Sequence, residues 1–148
     1  MTFQPHLTVA AVIEQNGRFL MVEEDVEGRI VLNQPAGHVE AGESFLQAVK
    51  RETLEETAHH FEPQAVTGIY RWMHPDNGIT FVRHAFCGVV GEPDTDLALD
   101  EGILRALWLG PDELRAQADK LRSPLVMQSI EDYLNGQRYP LKLYRDIE

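Results

Sequence analysis

Residues 35–60 read "PAGHVEAGESFLQAVKRETLEETAHH", and the reading of this stretch decides that of the whole chain. From Gly42 onward the apolar positions take helical spacing, with Glu43 or Ser44 near the N-terminus and the helix expected to run to about Ala58. Phe45, Ala48, Val49 and Glu52 fall at i, i+3, i+4 and i+7, one stripe along the helix. The same stripe continues onto Glu55 and Glu56, which flank Glu52 within roughly a 100° arc. The face that starts apolar turns acidic halfway along.

Neighbouring positions on a helix face lie about 5–6 Å apart at Cβ. Three carboxylates so placed repel by about 2 kcal/mol in bulk water, and by about 8 kcal/mol at an effective dielectric near 20. The first cost is tolerable on a solvated face. The second, in a partly buried cleft, calls for a counter-charge. Lys50 and Arg51 lie off the stripe, so they are not expected to neutralise all three acids. A hard divalent cation such as Mg²⁺ takes carboxylate oxygens and keeps waters for a phosphate-bearing substrate. On "RETLEET" alone, a merely solvated acidic face explains the residues equally well.

The remainder of the chain sets the frame. Its 148 residues suit one domain spanning 1–148, long enough for a core that needs no disulfide. A single cysteine, Cys87, excludes an internal disulfide and suits a reducing compartment. The start lacks the basic residues that precede a secretory segment, and no apolar run approaches the roughly 20 residues of a membrane span. A cytoplasmic protein is expected. The formal net charge of −11 argues against nucleic acid and anionic membranes as partners, since phosphate contacts come from Lys and Arg.

Strands are expected at 7–14 and 18–24 around an Asn16–Gly17 turn, and in "GRIVLNQPAGHV", broken by Pro35. Two more fall within 65–75 and 78–90, joined through Asp76 to Gly78. An acidic loop at 91–102 precedes a short strand at 106–110 and a helix from Pro111. A last helix begins with Ser123 as N-cap and Pro124 at N1 and stops at Gly136. Its inward stripe is Leu125, Val126, Ser129, Ile130, Tyr133 and Leu134. An EF-hand in "DTDLALDEG" is rejected, because Ala98 and Leu99 stand where that loop wants an acid and a glycine. The six histidines show no close HxH or HxxxH pairing and give no zinc site.

Gly37, Glu43, Arg51, Glu52, Glu55 and Glu56 together resemble the Nudix box, here residues 37–59. Six specified residues at that spacing arise by chance on the order of 10⁻⁶ times in a chain of this length. Thr53, Ala58 and His59 depart from the family pattern, touching helix packing and termination rather than charge. "QPAGH", "LRSPLV" and "GQRYPL" extend the resemblance to a narrower group, the NudJ-type Nudix phosphatases.

The resemblance implies an α/β (α+β) Nudix fold, a mixed sheet sandwiched between helices with the box as loop, helix and loop. It implies a hydrolase in which water attacks a phosphoanhydride phosphorus, with Mg²⁺ as cofactor and Mn²⁺ able to substitute. Glu52, Glu55 and Glu56 are then metal ligands, joined by the carbonyl of Gly37, whose lack of a side chain permits close approach. Arg51 and Glu43 are expected to form an ion pair that orients those ligands. Asp100 and Glu101 are candidate bases from outside the box.

For the substrate, Tyr70, Trp72 and His74 share one face of a strand, and Phe81, Arg83 and Ala85 one face of another. Trp72 or Phe81 could stack on a ring, and Arg83 or Arg138 could hold a phosphate, although strand aromatics are more often core. Arg122, Arg138 and Tyr139 lie outside the box and either set how far along its phosphate chain the substrate is held or only pack the last helix. The expected partner is a small phosphoanhydride: a nucleoside di- or triphosphate, thiamine pyrophosphate or hydroxymethylpyrimidine pyrophosphate, cleaved to orthophosphate. The alternatives are a pyrophosphohydrolase of a nucleoside diphosphate derivative or capped RNA, and a non-catalytic nucleotide-binding module. A monomer or a homodimer is compatible with the sequence.

Overall fold

A computed structural model describes residues 2–147. Its strands are β1 (His6–Val12), β2 (Glu14–Gln15), β3 (Arg18–Val26), β4 (Arg29–Asn33), β5 (Ala36–His38), β6 (Phe61–Met73), β7 (Thr80–Val90) and β8 (Ile103–Leu109). The helices are α1 (Phe45–Thr57), α2 (Pro111–Ala116) and α3 (Pro124–Leu134). The expected mixed sheet is present and is divided in two. One sheet runs β5-β1-β7-β6, with β1 and β7 parallel and the other pairs antiparallel. The second gathers β2, β4 and β8 around β3.

Two apolar clusters explain why the first sheet is covered on both faces. Val9, Ala11, Val66 and Phe86 pack with Ala48 and Val49 of α1. On the other side, Ala85 and Cys87 pack with Val126 and Ile130 of α3. Strands buried on both faces need near-continuous apolar runs, which "TVAAVI" and "HAFCGVV" supply. Cys87 is a free, buried thiol, as expected of a core strand residue.

Several boundaries move for identifiable reasons. β6 starts at Phe61, four residues before the expected start, because Phe61 and Pro63 pair with Val90 and Gly88. The strand expected at 7–14 breaks after Val12. The helix from Pro111 closes at Ala116 and continues as a short 3-10 turn. α1 is capped by Ser44, which accepts from the Gln47 N–H while the Gln47 side chain accepts from the Ser44 N–H. It ends at Ala58 in a left-handed conformation with φ 59°, the position glycine usually takes. Thr53, Thr57 and His59 are all buried. The Thr53 and Thr57 hydroxyls donate to the carbonyls one turn back, so these polar residues enter the core with their hydrogen bonds made.

In α3, Ser123 caps the N-terminus by accepting from the Leu125 N–H. Of its expected inward stripe, Leu134 is 41% exposed and lies outside the core. The segment after α3 returns to the first sheet. Tyr139 exchanges both backbone hydrogen bonds with Val66 at 2.8 Å, and Tyr144 packs on Phe45 and Phe86. Among the described residues, no helix is long and apolar enough to cross a membrane.

Candidate active site

α1 and β5 meet beneath a cleft of about 1000 Å³ whose walls include Glu52, Glu56, Gly37, Asp100, Arg83 and Trp72. Glu52 and Glu56 line it, and the three box glutamates are buried to graded depth. The Glu56 residue is 8% exposed, whereas the Glu52 and Glu55 side chains are 12% and 38% exposed. The grading follows from helix phase. The buried line runs Ala48, Val49, Thr53, Glu56, Thr57, so Glu56 points inward and Glu52 and Glu55 lie along its margin.

Each acid has a different partner. Glu56 accepts the Ala36 N–H at 2.9 Å. Glu52 and Glu55 accept from Arg51 Nη1 at 2.8 and 3.2 Å. Arg51 also donates through Nε and Nη2 to both oxygens of Glu43, at 2.6 and 2.9 Å, and to the His38 carbonyl at 3.0 Å. The expected Arg51–Glu43 pair therefore forms, and Arg51 neutralises more than its place off the stripe suggested. It serves two of the three acids and leaves Glu56 to a backbone N–H.

The electrostatics follow this arrangement. Burial pushes the Glu56 carboxyl up to about 9. Burial also raises Glu52, against the opposing pull of Arg51, and raises Glu55 with help from Asp100. Glu43 is held below its usual range by the Arg51 guanidinium. Among the described residues, no three His, Cys, Asp or Glu side chains already converge as ligands. The donors nonetheless suit a hard cation in kind: the Glu52 and Glu56 carboxylates and the Gly37 backbone along one cleft wall, with Glu55 beside Glu52. A Cβ at Gly37 would come within 2.2 Å of the Glu52 carboxyl carbon and push that carboxylate from its place.

The acidic loop is docked rather than free. The Asp94 and Asp100 N–H groups donate to the carbonyls of Ala58 and Glu55, at 2.8 and 2.9 Å. They satisfy carbonyls that the end of α1 leaves unpaired. Asp100 and Glu101 both line the cleft.

Of the expected substrate contacts, Trp72, Phe81 and Arg83 line the cleft. Trp72 and Phe81 are cross-strand partners with rings stacked at 6.0 Å. Arg83 sits on the next rung of that face, opposite Tyr70. Tyr70 turns from the cleft to donate to Asp132 at 2.6 Å. Arg138 and Tyr139 are not brought to the cleft: Arg138 lies over the Tyr133 ring and donates to the carbonyls of Tyr133 and Gln137. Tyr139 donates to Gln137 at 2.7 Å.

Sequence reasoning missed Glu24 as a cleft residue. It is 6% exposed, lines the cleft and pairs with Arg122. The only local signal was its period-2 phase, which continues the buried positions Leu20 and Val22 of β3 onto Glu24.

A family model described as the NUDIX domain matches residues 4–128. The chain is 41% identical over 144 residues to Phosphatase NudJ of Escherichia coli K12, covering 97% of this chain and 93% of that one. A solved NUDIX hydrolase from Nitrosomonas europaea superimposes with a TM-score of 0.95 at 53% identity, covering 97% and 98% of the two chains. A MutT NUDIX hydrolase from Burkholderia pseudomallei, at 22% identity and a TM-score of 0.72 over 87% and 98% of the chains, shares the fold.

Proposed function

The chain belongs to the Nudix family, a hydrolase related to the NudJ phosphatases, and we propose that it hydrolyses phosphoanhydride bonds of small nucleotides or pyrimidine pyrophosphates, with Mg²⁺ as cofactor and orthophosphate as product. The observation that carries this reading is the Glu56 carboxyl, buried at the cleft wall on the Ala36 N–H with Glu52 packed against Gly37. A buried carboxyl whose only partner is one backbone N–H is costly unless it serves chemistry.

Nudix hydrolases generally use divalent cations. Glu52, Glu55, Glu56 and the Gly37 carbonyl would hold the cation, which when bound polarises phosphate oxygens and lowers the pKa of water. The protein supplies the rest. Arg51, gripped by Glu43 and the His38 carbonyl, holds Glu52 at the cleft and Glu55 beside it. Glu56 holds a proton that it can give up when positive charge arrives. Asp100 lies next to Glu55 and is placed to accept a proton from an attacking water. Trp72 and Phe81 offer an aromatic face to a ring, and Arg83 supplies positive charge one rung deeper.

The test is hydrolysis of nucleoside triphosphate, thiamine pyrophosphate and hydroxymethylpyrimidine pyrophosphate with Mg²⁺ in ¹⁸O water. Label in released orthophosphate, with the nucleoside diphosphate formed first, supports attack on the terminal phosphorus. Pyrophosphate as main product would overturn it.

A further inference from the structure

Three arginines, Arg29, Arg83 and Arg122, line the cleft among its acids. Arg83 is 5% exposed. Its Nη2 donates to the side-chain oxygens of Asn33 and Gln34, both at 3.0 Å, and its Nε has no acceptor. Gln34 is oriented for this role because its own amide donates to the Val126 carbonyl at 2.7 Å. Both Arg83 partners are neutral. Among the described residues, no carboxylate forms a salt bridge with this guanidinium, and a buried donor left unsatisfied is costly.

Arg122 lines the same cleft and is half-exposed, held from one side by the buried Glu24 carboxylate. Burial is the largest influence on Arg83 and holds it below its usual range, Glu56 pulls it back up, and the Arg122 charge repels it more weakly. Ser123 and Leu125, at the start of the 11-residue α3, line the cleft beside Arg122 and bring the positive end of that helix. Two guanidiniums on one cleft, one half-exposed and the other hydrogen-bonded only to neutral amides, suit an anion.

The position relative to the acids says which anion. Glu56 is anchored at Ala36 on β5, and Arg83 stands two strands away on β7, one two-residue step along. At about 4.8 Å per strand and 6.8 Å per step, the two backbones are roughly 12 Å apart. Both side chains border the same cleft of about 1000 Å³, which has room for a phosphate chain beside them.

We propose that Arg83, Arg122 and the N-terminus of α3 form an anion subsite for the phosphate of the substrate that is not attacked. The subsite rests on the phosphoanhydride reading and deepens it: by gripping the inner phosphate, it presents the outer one to Glu52 and Glu56. Because the grip comes from protein cations, it works without a divalent ion.

The experiment is calorimetric titration of methylenediphosphonate, a pyrophosphate that cannot be hydrolysed, into the full chain with chelator present. Wild type should bind one equivalent, and Arg122→Gln at least tenfold more weakly. Arg71→Gln, the same charge loss at an exposed site on the opposite sheet face, should bind as wild type does. With Mg²⁺, Arg122→Gln should raise KM for a diphosphate substrate about tenfold and lower kcat less than threefold. Arg83→Lys, which keeps the charge and loses the Nε donor, should weaken chelator-state binding at least threefold. No binding to wild type without cation, equal loss in Arg71→Gln, or a fall in kcat with KM unchanged would each overturn the subsite. Absence of hydrolysis for every phosphoanhydride would overturn the functional reading instead, leaving the cation-free binding result intact.

Discussion

Glu56 reaches from the inward face of α1 to the backbone N–H of Ala36, 2.9 Å away, and in doing so becomes the most buried acid of the box. That single bond cannot compensate a desolvated charge, so the carboxyl keeps its proton up to about pH 9 in protein stripped of cations.

Glu56→Gln preserves shape and neutrality. The variant should fold, with stability at pH 7 without cations equal to or above that of wild type, while kcat falls about 10²-fold or more, the scale of a lost transition-state charge stabiliser. Glu62→Gln, on an exposed side chain, should leave kcat unchanged. Steady-state kinetics and thermal melting of the three proteins check this; wild-type activity in Glu56→Gln would remove Glu56 from the chemistry.

The sign of the pH dependence follows. A carboxyl raised from 4.5 to about 9 in the folded protein contributes stability that is whole below pH 4.5 and lost as pH rises through about 9. The difference in melting temperature between wild type and Glu56→Gln under chelation should therefore move against wild type across that window. A constant difference from pH 5 to 9 would show that Glu56 ionises normally.

Cation uptake must displace the Glu56 proton, so binding should release protons and tighten with rising pH. Calorimetry of Mg²⁺ and Mn²⁺ binding in buffers of different ionisation enthalpy measures the protons released. Chelator should abolish activity while circular dichroism stays native, because the core clusters lie outside the acid site.

Arg51→Lys removes the fork that grips Glu43 and leaves Glu52 and Glu55 unoriented. Cation affinity or activity should drop about 10- to 100-fold. A variant with wild-type kinetics would show that the carboxylates hold their positions unaided.

Two hairpin turns offer a stability test, one of them with Glu27 at the cleft edge. Asn16–Gly17 and Glu27–Gly28 both take positive φ, 52° and 77° in one and 53° and 84° in the other. Asparagine tolerates this conformation better than glutamate. Glu27→Asn should stabilise the fold by about 0.5–1 kcal/mol, measured by urea unfolding; destabilisation would show that the Glu27 side chain makes a contact of its own.

The box, its capped helix, the Asn16–Gly17 turn and the alternation of Trp72 with His74 were legible in the sequence because each depends on neighbours a few residues apart. The period of 3.6 or 2 places such residues on a common face whatever the rest of the chain does. The ion pair of Arg51 with Glu43 belongs to the same class, at a separation of 8 residues. Even here burial altered the detail. Thr53, at odds with the family pattern, sits in the core, and Glu52 lies at its margin.

What only the tertiary structure decided were the contacts set by which strands become neighbours. Arg122 meets Glu24 across 98 residues and Arg83 meets Asn33 across 50. Arg138 and Tyr139, part of the same suspected segment as Arg122, turn toward Tyr133 and Val66. No periodicity distinguishes an arginine that lines a cleft from one that lies on the outer surface. That choice is made by sheet order and by the cost of burying a guanidinium, a cost the cleft offsets only where acceptors such as Asn33 and Gln34 are already in place.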